Sequence, residues 1–184
     1  MSNGEGRSCG KCLACFAVFV VLLATIITVL SLTVMKIHSP KVRFNAMVVE
    51  SFSSNNTTAT SINMRLLTQV AIKNTNFGYF KYDNSTLIIL YNGVPLGKAV
   101  IPPGRANARE TQKFNTVVDV STDRVSDSKL GNEINSGVLK LSSETKLNGM
   151  VHLMKVIKKK KSGEMKCDWT VNLGTRQVEG LRCN

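Results

Sequence analysis

The sequence predicts a mostly β protein: an antiparallel immunoglobulin- or fibronectin-III-like β-sandwich with one short helix, preceded by a single transmembrane helix. Three observations predict it. Leu13–Met35 carries no charge, and only Thr25, Thr28, Ser31 and Thr33 interrupt its apolar character. After Lys41 the apolar residues recur with period two, as half-buried strands require. Turn signals separate those runs at roughly ten-residue spacing, as in a sandwich.

The apolar run comes first. At ~1.5 Å per residue it makes about 34 Å of helix, against a hydrocarbon core of about 30 Å. This excludes a freely soluble cytosolic protein. It also excludes a multi-span channel or transporter, because no second run approaches about 18 apolar residues. A cleaved signal peptide has a shorter apolar region, about 7–15 residues, that ends at a small-residue site. Val34-Met35-Lys36-Ile37-His38 offers no such site, so the run reads as an uncleaved signal anchor. The chain divides into a short cytoplasmic tail (1–12), the span (13–35), a membrane-proximal strand with a polar loop (36–60), and the remainder of the sandwich (61–184).

Orientation rests on more than charge. The chain carries +12 overall, but Arg7 and Lys11 before the span nearly balance Lys36, Lys41 and Arg43 after it. Glycosylation acceptor patterns begin at Asn55, Asn56 and Asn84, and they have meaning only on the extracytoplasmic side. Cys167 and Cys183 stand alone in the domain. Such a pair suits one disulfide in an oxidising compartment, with two reduced buried thiols as the alternative. Together these features favour a short N-terminal tail on the cytoplasmic side and the domain outside. Cys9, Cys12 and Cys15 have ligand-like spacing but no fourth ligand nearby. Juxtamembrane palmitoylation or plain thiols are the readings left open.

The strands follow in order. Lys41–Phe52 alternates, Ser53–Thr60 is a polar loop, and Ser61–Lys73 alternates again. Thr86–Tyr91 and Val94–Ile101 flank Asn92-Gly93, the strongest short hairpin signal because both central residues take positive φ. Pro102-Pro103-Gly104 is a second turn, and Lys113–Val120 a further strand. Asp123–Asn135 breaks the pattern as a short helix, with Val125, Leu130 and Ile134 on one face. Val138–Leu141, Val151–Ile157, Met165–Leu173 and Gln177–Cys183 complete the set, with Lys158–Glu164 as a Lys-rich connection. Phe77, Tyr79, Phe80 and Tyr82 either pack the core or line a ligand groove.

Asn74-Thr75-Asn76-Phe77-Gly78-Tyr79-Phe80-Lys81-Tyr82, then Tyr91-Asn92-Gly93-Val94-Pro95-Leu96-Gly97, then Ile101-Pro102-Pro103-Gly104-Arg105-Ala106 appear in succession. In that order they resemble plant late embryogenesis abundant proteins of the second group, the water stress and hypersensitive response domain family. Within it the chain is most similar to the membrane-anchored, harpin-induced-like "hydroxyproline-rich glycoprotein" branch. The short tail, the single span and the terminal Cys167…Cys183 fit the resemblance. Thr75 departs from it, because the family commonly has Pro there. With four prolines and no Pro-rich tract, hydroxyproline-type glycosylation is not expected. The resemblance implies a fibronectin-III-like sandwich outside the plasma membrane, a role in pathogen defence or water stress, and no catalytic residues.

Little points to catalysis. His38 and His152 have no metal-ligand spacing, no Gly-rich phosphate loop joins a strand to a helix, and neither enzyme activity nor a cofactor is expected. The sharpest local feature is basic: Lys155, Lys158, Lys159, Lys160, Lys161 and Lys166. It reads as the tip and stem of a β-hairpin. It is either a solvated tip that discourages edge pairing or a contact for acidic wall polysaccharide, anionic lipid or a membrane protein. Nucleic acid is not an expected partner, because few aromatics interleave with the lysines and the anchor argues against it. The expected function is a non-enzymatic membrane protein that acts by binding. The alternative is a sandwich that encloses a small apolar ligand such as a lipid.

Overall fold

The computed structural model describes residues 6–34, 36–55, 61–125, 127–153 and 157–184. It divides into two compact units, Met1–Ile37 and His38–Asn184. The first holds α1 (Gly6–Val34), whose Leu13–Leu32 stretch is apolar enough to cross a membrane and is exposed throughout. Thr25 and Thr28 donate their hydroxyls to the carbonyls of Leu22 and Ala24, so both side chains are satisfied by their own helix.

The second unit is a sandwich of two antiparallel sheets. One contains β1 (Lys41–Asn55), β2 (Ser61–Lys73) and β7 (Thr111–Ser121), in the order β1-β2-β7. The other is built on β8 (Val138–Leu153), flanked on one side by β9 (Ile157–Asn172) and beyond it β10 (Gln177–Cys183). On its other side β8 pairs with two short strands in line, β3 (Tyr79–Tyr82) and β4 (Ser85–Tyr91). These pair in turn with β6 (Gly104–Ala106) and β5 (Val94–Ile101). Pro102-Pro103 interrupts the outer strand opposite the Asp83-Asn84 break in the inner one, since proline cannot donate to a ladder.

The alternating residues that made β2 legible all point inward. Ile62, Leu66, Val70 and Ile72 are fully buried, as are Leu87, Ile89, Leu139, Val151 and Met165 of the other sheet. Two glycines let the sheets close at their margins. A Cβ on Gly97 of β5 would collide with the Asp119 carbonyl of β7, and one on Gly163 of β9 would lie 2.7 Å from the Pro40 oxygen. The hairpin at Asn92-Gly93 has φ of 45° and 83°, as its turn type demands. Helix α2 (Ser128–Asn135) starts from Asp127, whose carboxylate accepts from the Lys129 amide at 3.0 Å, and it buries Leu130.

Two expectations are corrected. Val138–Leu141 and the start of Val151–Ile157 are one continuous strand, β8. Its central inward positions are Ser143 and Thr145, buried but polar, so the apolar alternation is hidden there. The Lys-rich stretch from Lys158 onward lies on the stem of the β8–β9 hairpin, as expected, but it is not the connection between the strands. It is regular strand, with Lys158 to Lys161 paired to His152 to Gly149. Lys158, Lys159 and Lys160 are exposed there, so the apolar alternation is absent.

Candidate functional site

The chemistry on this domain is concentrated where the chain enters it. Asn74, fully buried, organises that end. Its Nδ2 donates to the carbonyls of Gly78 (2.7 Å), Ala106 (3.2 Å) and Asn107 (2.9 Å), and its Oδ1 accepts from the Asn76 amide and Nδ2 at 3.0 Å each. Asn76 then holds the entering strand like a backbone partner. Its Nδ2 donates to the His38 carbonyl at 2.9 Å, and its Oδ1 accepts from the His38 amide at 2.7 Å. The two asparagines replace a stretch of ladder that an irregular turn cannot make, so every polar group they reach is satisfied.

That turn pushes Phe77 outward, leaving it 50% exposed, with the Arg109 guanidinium 4.1 Å from its ring centroid. Gly78 packs against the backbone of β8 at His152 so closely that no side chain fits. Beside it Tyr79 stacks on His152 at 4.6 Å, and Arg105 covers the other ring face at 3.9 Å. Lys158 is the register partner of His152, and Lys160 that of Met150. Lys81, Met150, His152, Lys160 and Lys161 border an open cleft of ≈ 650 Å³, and Asp83 lines it as well. Arg109 and Arg105 thus each cover an aromatic ring, Phe77 and Tyr79, and Lys158 lies one strand beyond His152.

The expected site residues separate in space. Lys158, Lys159 and Lys160 are exposed at this end, while Lys161 is half-buried. Lys166 lies farther along β9, paired with Glu144, and is not part of the group. Lys155 and Asn56 lie outside the described residues, as do the side chains of Cys9, Cys12 and Asn55. Cys15 is exposed on α1, and Asn84 is exposed at the break between β3 and β4. A disulfide joins Cys167 to Cys183 and ties β10 to β9. The aromatic group divides: Phe80 and Tyr82 are core, whereas Phe77 and Tyr79 face outward. Arg105 and Arg109 were not singled out by sequence reasoning. Their only signal was proximity to motif residues, since stacking depends on register across β3 and β6.

Among the described residues no three His, Cys, Asp or Glu side chains converge to hold a metal. Burial pushes the Tyr82 and Tyr91 hydroxyls up, which keeps both protonated. The acids whose carboxyls sit below their usual range, Asp119 and Glu164, are exposed and paired with Arg65 at 2.7 Å and Lys146 at 2.9 Å. Those are surface pairs and not activated groups.

Comparison with known proteins places the chain. A family profile described as Late embryogenesis abundant protein matches residues 69–168. A late embryogenesis abundant protein of Arabidopsis thaliana is 29% identical over 181 residues, covering 95% of this chain and 83% of the relative. The solution structure of another Arabidopsis thaliana protein superposes with a TM-score of 0.41 at 15% identity, over 72% of this chain and 82% of that one. A crystal structure from Archaeoglobus fulgidus gives 0.33 at 10% identity, over 74% and 98%. The apolar helix fits a membrane anchor or a signal sequence, and the disulfide points to an oxidising compartment.

Proposed function

The chain belongs to the second group of late embryogenesis abundant proteins, and from that premise we propose a single-pass plasma-membrane protein. Its β-sandwich stands outside the cell and acts in plant defence or abiotic-stress response by binding and not by catalysis. Family membership supports a stress-related role, and proteins of this family are generally non-enzymatic. The observation that carries the topology is the Cys167–Cys183 disulfide, because such bonds persist outside the reducing cytosol. An exposed acceptor pattern at Asn84 agrees with it. The binding surface is the basic end of the domain, whose charge suits acidic partners: wall polysaccharide, anionic lipid or an acidic membrane protein.

Protease treatment of intact cells, combined with glycosidase digestion and thiol alkylation of unreduced protein, tests the topology. The expected result is removal of the domain from outside, with Cys167 and Cys183 resistant to alkylation. Alkylation of both thiols in unreduced protein, with no sugar and full protection from protease, would reverse it.

A further inference from the structure

We infer that the entry end of the sandwich docks back onto the bilayer that anchors it, with Phe77 at the lipid interface and the surrounding cations on anionic phospholipid headgroups; this rests on the membrane-anchored reading above. Connectivity is the first argument. The apolar stretch of α1 ends at Leu32, and His38 is already clamped by Asn76. Six residue steps span no more than about 20 Å even when fully extended. The turn carrying Phe77 follows Asn76 directly, so it is tethered within reach of the headgroup layer.

Charge is the second argument. Segments 38–41, 73–79, 105–110 and 157–161 converge on this end through the His38–Asn76, Asn74–Asn107 and Tyr79–His152 contacts and the His152–Lys158 register pair. They carry eight Lys and Arg and one acid, Glu110, while the whole chain has 24 bases to 12 acids. Basic groups held near an anionic bilayer are attracted to it, each by an amount that fades within a Debye length. The third argument is the exposed ring. An exposed aromatic with a cation stacked on it is the composition of an interfacial anchor, in which the ring enters the headgroup boundary and the cation meets phosphate. Arg109, stacked on Phe77, delivers a guanidinium fork at the same depth.

The test uses the full chain reconstituted into nanodiscs of phosphatidylcholine, with or without phosphatidylserine. Lysines are acetylated by a water-soluble reagent and read by mass spectrometry. Lys158 to Lys160 should label several-fold more slowly in the anionic discs, and high salt should abolish the difference. Lys140, 13 residues back along β8 from Leu153, serves as the control that does not change. Phe77→Ala should recover much of the labelling, and because the ring is half exposed this variant keeps its core. Equal labelling in both lipids, from chain that resists carbonate extraction, overturns the docking and leaves the anchored reading intact. Chain that carbonate releases overturns both. Protection by polygalacturonate and not by phosphatidylserine overturns the docking in favour of a wall polymer.

Discussion

Replacing Asn74 by Ala tests how the entry end is built. Asn74 makes five hydrogen bonds inside the domain and is fully buried. Truncation strands the Asn76 amide in the interior, at roughly 1–3 kcal/mol, and strips one partner from each of three carbonyls, at roughly 0.5–1 kcal/mol apiece. The expected loss is about 3–5 kcal/mol, a large share of a typical domain's stability. For the unit His38–Asn184 the unfolding entropy is about 0.3 kcal/mol/K, so the midpoint should fall by about 10–16 °C. Asn74→Asp sharpens the test. It keeps the size and the acceptor but turns an oxygen toward the Gly78, Ala106 and Asn107 carbonyls. Only its protonated form donates there, so its folded-state pKa rises above the unfolded value. Its stability is therefore best in acid and is lost as pH climbs through that raised value, while the Ala variant should show no such added dependence. Calorimetry of the full chain in detergent across pH reads both. A drop under about 3 °C for Asn74→Ala, or parallel pH profiles for the two variants, would refute the account of Asn74 as organiser.

Three further outcomes follow from other parts of the domain. Reducing the disulfide, or replacing Cys183 by Ser, reopens a loop with separation 16 and should cost about 3 kcal/mol; hydrogen exchange should accelerate in β10 and leave β2 protected. Ser143→Ala removes a fully buried hydroxyl that has no hydrogen-bond partner, so it should raise the melting temperature by about 3 °C, and a lowered midpoint would contradict that. Acidification should weaken the outer faces of both sheets. The Arg65 and Lys146 partners hold the Asp119 and Glu164 carboxyls low, so that contribution is present above the unfolded carboxylate values and is lost as pH falls through the depressed ones. Proton titration by NMR should place both carboxyls below their unfolded values, and the pairs, being exposed, should weaken further in salt.

The sequence by itself determined the long apolar helix, the strands whose inward faces are apolar, and the Asn92-Gly93 turn. In each case a local rule suffices: length and absence of charge for α1, period-two burial for β2, positive φ for the hairpin. It also set apart Cys167 and Cys183, but only the fold brings β10 beside β9 so that they join. The rest was decided by tertiary structure. β8 hides behind Ser143 and Thr145, which are buried because the opposite sheet covers them, whatever their polarity. The lysines of β9 are strand because β8 pairs with them, and Lys158 to Lys160 are exposed there. Phe77 and Phe80 are three residues apart, yet one is solvent-facing and the other core. That difference arises at the Asn74–Gly78 turn, where buried side-chain amides bind backbone from two distant segments, at His38 and at Ala106–Asn107, a convergence no one-dimensional pattern encodes.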